Sequence, residues 1–120
     1  MIRLRDPGDL HLVEDLEIRA LIAQRFEDFV QGEPYDPELH AHAFLVQAGD
    51  SGEAIKTATG CCITPERFDV LEEHDACFEL VFAEGDAGTV IFIPKTDGID
   101  PNLITFCRAY AAPAPDLKAA

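Results

Sequence analysis

Cys77-Phe78-Glu79-Leu80-Val81-Phe82-Ala83 and Thr89-Val90-Ile91-Phe92-Ile93-Pro94, separated by Glu84-Gly85-Asp86-Ala87-Gly88, decide the fold of this chain. Aromatic and β-branched residues fit a pleated, buried surface, and the glycines between the runs supply the positive φ of a tight reversal, so the stretch predicts a β-hairpin over 77–94. Alternation places Phe78, Leu80, Phe82, Ile91 and Ile93 on one side and Val81, Ala83, Val90 and Phe92 on the other. Both sides are apolar. A 120-residue chain has limited material to cover two sheet faces, so homodimerisation through the sheet is expected.

Outward from the hairpin, four Asp-Pro or Thr-Pro steps at Asp6-Pro7, Asp36-Pro37, Thr64-Pro65 and Asp100-Pro101 mark helix or turn starts. In each, a capping side chain precedes a proline whose fixed φ suits the first helical position. The first opens an expected helix over 7–31, whose apolar face carries Leu12, Leu16, Ile18, Ile22, Ala23, Phe26, Phe29 and Val30. Gly32 and Pro34 end it. Residues 42–48 form the next expected strand, Ser51-Gly52-Glu53 starts a second helix that stops at Gly60, and Asp100-Pro101 opens the last. The order α-β-α-β-β-α predicts an α+β domain over 1–111. Its sheet is small, three-stranded and partly antiparallel (hairpin 77–94 plus strand 42–48), with about three helices on one face and a flexible tail over 112–120.

Composition narrows the function classes. Apolar residues make up 48% of the chain, enough for a core without metal or disulfide staples. No apolar run approaches the roughly 20 residues of a membrane span, and Asp6-Pro7-Gly8-Asp9 interrupts any secretory signal. Cys61, Cys62, Cys77 and Cys107 include an adjacent pair too close for a relaxed bridge, which favours free thiols and a cytoplasmic setting. A net charge of −14 repels phosphate backbones and anionic lipid, so direct nucleic-acid and membrane binding are disfavoured.

Two features carry candidate chemistry. In an extended segment His40 and His42 project to one side and could share a divalent transition metal, completed by His74, by a carboxylate such as Asp69, Glu72 or Asp75, or by a thiolate. With only half of a ligand set in view, the plainer reading is a pair of surface histidines near a strand start. The second feature is the run from Glu66 to Asp86, where eight acidic residues stand against the single Arg67. Such a cluster either solvates a face or steers a basic partner. Phosphate-loop, dinucleotide, nucleophile-elbow and zincin motifs are absent from the sequence, as is any C-x-x-C pair. We expect a small acidic protein without catalysis or cofactor, acting as an interaction, inhibitor or regulatory module toward another, basic protein. Its surface would be Glu72, Glu73, Asp75 and Glu84 with Phe78, Phe82 or Phe92 as apolar anchors. The alternative is a metal-binding protein or metal-dependent hydrolase using His40, His42 and His74.

Overall fold

The computed structural model describes residues 1–5, 7–30, 42–84 and 87–113. The hairpin is present: β4 (Cys77–Glu84) pairs antiparallel with β5 (Ala87–Pro94), from Cys77 opposite Pro94 to Glu84 opposite Ala87. Its two faces seed two separate cores. Phe78, Leu80, Phe82, Ile91 and Ile93 join one buried cluster, while Cys77, Val90 and Phe92 join the other with Val81 packed against it.

The sheet built on this hairpin is larger than the three strands expected. β2 (His42–Leu45) lies parallel to β5, and β1 (Ile2–Leu4) pairs antiparallel with β2. On the other side β3 (Val70–Glu73) pairs antiparallel with β4, and a two-residue β6 (Ala112–Pro113) runs parallel to β3. The result is a mixed sheet of five full strands and a minor sixth, in the order β1-β2-β5-β4-β3-β6. The α+β class holds; the strand count does not. Hydrophobic alternation misses β1 because it has three residues with Arg3 at its centre, and misses β3 because it reads Val-Leu-Glu-Glu. Both are held by neighbouring strands more than by their own apolar content. β2 ends at Leu45, although Val46 still donates a ladder bond to the Phe92 carbonyl. Ala112 and Pro113, placed in the tail by sequence, belong to β6; residues 114–120 lie outside the described residues.

Among the described residues there are four helices instead of about three, one 3-10 and three α, and they cover both faces rather than one. α1 (Leu16–Val30) supplies Ile18, Ile22 and Phe26 to the core over Val90 and Phe92. α2 (Gly52–Thr59) and α3 (Pro101–Tyr110) supply Ile55, Leu103 and Cys107 to the core over Phe78, Leu80 and Ile91. Sheet-face pairing of two copies therefore has no bare apolar face to bury among the described residues.

The long helix expected over 7–31 is broken. A 3-10 helix covers Pro7–Leu12, and α1 starts only after Asp15, whose carboxylate accepts from the backbone N–H groups of Glu17 and Ile18. This capping resets the helical phase. Leu12 and Leu16, placed on the apolar face by a continuous helix, are 43% and 72% exposed, while Val13 is buried. The proposed helix end at Gly32 and Pro34 lies outside the described residues. The two later helices follow their sequence signals closely. Ser51 Oγ accepts from the Ala54 N–H, Gly60 takes φ +76° after the last turn of α2, and Asp100 caps α3 ahead of Pro101. No helix among the described residues is long and apolar enough to cross a membrane.

Phe26 is 2% exposed and sits in the middle of the α1 core. Truncating it to alanine removes a ring whose space the sheet cannot refill, so Phe26→Ala is expected to lose about 3–5 kcal/mol of stability in urea denaturation.

Candidate functional site

β4 contributes one charged residue to the core: Glu79, 1% exposed, on the face covered by α1. Alternation forces it inward, since its neighbours on that face of the strand are Cys77 and Val81. A carboxylate removed from water needs partners, and it has two. From α1, Arg25 makes a two-pronged contact: its Nε donates to Oε2, and its terminal amine donates to Oε1 at 2.9 Å. From the β3–β4 turn, His74 Nε2 lies 2.8 Å from Oε1; because a carboxylate only accepts, that nitrogen carries the proton. The turn itself is closed by the His74 N–H donating to the Cys77 carbonyl at 2.8 Å.

Register then adds a second carboxylate. Glu72 on β3 stands directly opposite Glu79 on β4, so both side chains leave the sheet on the same face. Glu72 Oε2 is sealed from solvent and accepts no hydrogen bond among the described residues. One donor atom each from Glu72, His74 and Glu79 lie within 4.8 Å of one another. Burial by itself would raise the Glu79 pKa, yet the hydrogen bonds and charges of His74 and Arg25 outweigh it and hold the group below its ordinary 4.5.

The other sequence-derived site residues are scattered. Phe78 and Phe92 are fully buried and Phe82 is 5% exposed, so none of the three offers a surface anchor. Glu73 faces the opposite side of β3 from Glu72 and is bound by Lys95 Nζ at 2.7 Å; that hydrogen bond, followed by the charges of Lys95 and Arg108, lowers its pKa against a smaller burial cost. Lys95 also lies over the Phe78 ring, 4.9 Å from its centroid. Asp75 is exposed in the turn. His40 and the side chains of His42 and Glu84 lie outside the described residues. Of the expected metal ligands, His74 and Glu72 are brought together, and Glu79 joins them. Sequence counting had placed Glu79 among the surface acids; the signal available was its position in an otherwise apolar strand.

A second concave surface lies on the other side of the sheet. An open groove of about 500 Å³ runs between α2 and the start of α3, lined by Lys56, Cys62, Ile63, Asp100 and Phe106 among others. Phe106 continues it into an aromatic row, edge-on to Phe68 with centroids 6.0 Å apart and tilted against Tyr110 at 4.9 Å. Tyr110 is half exposed, and exposed Glu66, Arg67 and Asp69 surround Phe68 in sequence, two acids to one base.

All four cysteines are free, two of them half-buried and two buried. Burial pushes the Cys77 and Cys107 thiols up to about 12, in Cys77 with help from the nearby carboxylates led by Glu79. Neither is poised as a nucleophile.

No protein-family model, curated protein or solved structure matches this chain.

Two expected outcomes follow from these environments. Because the Glu79 pKa is depressed on folding, its ion pairs stabilise the protein fully above the unfolded carboxylate pKa and lose that contribution as pH falls through the lower folded value. The melting temperature of wild type should therefore hold above about pH 5 and fall below about pH 4.5, and Glu79→Gln should flatten the part of that fall due to this group. In native protein at pH 8, iodoacetamide should modify Cys61 and Cys62 well ahead of Cys77 and Cys107, with all four reacting in denaturant, as read by peptide mass mapping.

Proposed function

We propose that the chain is a non-enzymatic interaction module that binds a basic segment of another protein. The docking surface is the groove between α2 and α3 together with the aromatic row that leads out of it. The observation that carries this reading is Tyr110, half exposed and tilted against Phe106, which itself lines the groove, with acidic Glu66 and Asp69 near Phe68 in sequence. Tyrosine at such a position offers rigid apolar area and a hydroxyl for little conformational cost, which is why aromatic residues are enriched at binding hot spots.

The net charge of −14 supports a cationic partner, drawn by long-range steering before short-range contacts form. The apolar anchors differ from those expected by sequence: Phe68, Phe106 and Tyr110 take the place of Phe78, Phe82 and Phe92, which are spent on the two cores. A cytoplasmic setting agrees with four unpaired cysteines in a chain of this size.

Partner capture at low salt with release near about 0.5 M, where screening shortens the field to a few ångström, is the expected behaviour. Tyr110→Ala and the charge reversal Glu66→Lys should each reduce recovery of that partner while leaving the melting temperature nearly unchanged. A partner retained equally by wild type and both variants would place the interface elsewhere.

A further inference from the structure

We propose that Glu72, His74 and Glu79 form a binding site for one divalent transition-metal ion such as zinc or manganese, independent of the docking surface on the opposite face of the sheet. The three residues come from adjacent strands and the tight turn between them, so their relative positions are set by the β3–β4 ladder and not by a long loop. One donor atom from each already lies within 4.8 Å of the others. The closest pair, His74 Nε2 and Glu79 Oε1 at 2.8 Å, is spaced nearly as two neighbouring ligands of one ion, which stand roughly 3 Å apart when metal–ligand bonds are about 2.0–2.2 Å.

The unsatisfied atom is what points to a cation. Glu72 Oε2 is closed to solvent and has no hydrogen-bond partner among the described residues, and its own strand neighbour across the ladder is a second carboxylate. Like charges directly opposite on adjacent strands repel, and a buried carboxylate oxygen without a donor is costly. Arg25 answers the charge of Glu79 through two hydrogen bonds to that carboxylate. An ion between His74 and the two carboxylates would take the place of the proton on Nε2, which leaves to solvent, and would give Glu72 Oε2 its partner. One imidazole and two carboxylates suit a borderline or moderately hard divalent ion, while the absence of sulfur from the donor set argues against a copper(I) or iron–sulfur site. Arg25 holds Glu79 in a fixed orientation, as second-layer partners of ligating carboxylates do.

Isothermal titration of the chelator-treated full chain with zinc chloride, and separately with manganese chloride, tests this. Saturation at one equivalent with a rise in melting temperature is expected, and Glu72→Gln should weaken it at least about tenfold, the loss typical of a damaged metal site. Saturation that Glu72→Gln leaves unchanged would mean that the ion sits on exposed thiols or His11, and the proposal fails. It fails also if neither ion binds wild type saturably. Should Glu72→Gln not fold, the wild-type protein still decides. Manganese must broaden amide resonances around residues 72–79 and Arg25 first, and broadening centred elsewhere overturns the site.

Discussion

The β4–β5 hairpin is buried on both faces, and this two-sided burial is the constraint from which the rest of the architecture follows. A strand pair that is apolar on only one side can rest on a single helical layer and show its other side to water. This pair cannot, because Phe78, Leu80, Ile91 and Ile93 on one face and Val90 and Phe92 on the other are all sealed. At about 1.5–3 kcal/mol for each large side chain taken from water, leaving the first set bare would forfeit about 6–12 kcal/mol and the second about 3–6, a large share of the roughly 5–15 kcal/mol by which a domain is stable. The chain meets the demand by dividing its helices, α1 to one side and α2 with α3 to the other. It also lengthens the sheet at both edges with strands too short and too polar to stand alone.

That same burial explains the polar cluster. Within an inward-facing row a glutamate has no route to solvent, so Glu79 is tolerated only because Arg25 reaches it from α1 and His74 from the preceding turn. An ion pair of this kind gives modest net stabilisation, since desolvation offsets most of the attraction, but removing either side leaves a stranded charge. It therefore fixes how α1 sits on the sheet more than how strongly. Glu72 is the residue this account of stability does not satisfy. Its position opposite Glu79 is imposed by register, and among the described residues no hydrogen bond reaches its Oε2.

How far the sequence carries depends on whether a signal is local. The starts and stops of α2 and α3 were legible because Ser51, Gly60 and Asp100-Pro101 act on the backbone within one turn. The division of the hairpin into two faces was legible because a period of two needs no knowledge of partners. β1 and β3 were not, since a three-residue strand around Arg3 and a Val-Leu-Glu-Glu strand owe their conformation to ladders with other strands, β1 to the sequence-distant β2 and β3 to β4 and the distant β6. The error at Leu12 and Leu16 has a different cause. A local cap at Asp15 shifted the helical phase, and periodicity read across the break assigned both leucines to the wrong side. Candidate ligands divide in the same way: His74 and Glu72 could be named as types, but only the β3–β4 register shows that they meet Glu79.

Charge is where counting by sequence diverges most from what the folded surface presents. Eight acids between Glu66 and Asp86 read as a single negative patch. Folding separates them by strand alternation, turning Glu72 and Glu79 inward to the α1 side while Glu73 goes to the other face and is neutralised by Lys95. The field at the surface near β3 is then left to residues outside the strands, with Glu66 and Asp69 before it and Asp75 in the turn after it. An acidic stretch that crosses two strands is thus divided in two: acids in the flanking turns face solvent, and the inward pair within the strands lies at ligand distance from one another. Only the first could be read from composition, because the second depends on which residue the ladder sets opposite which.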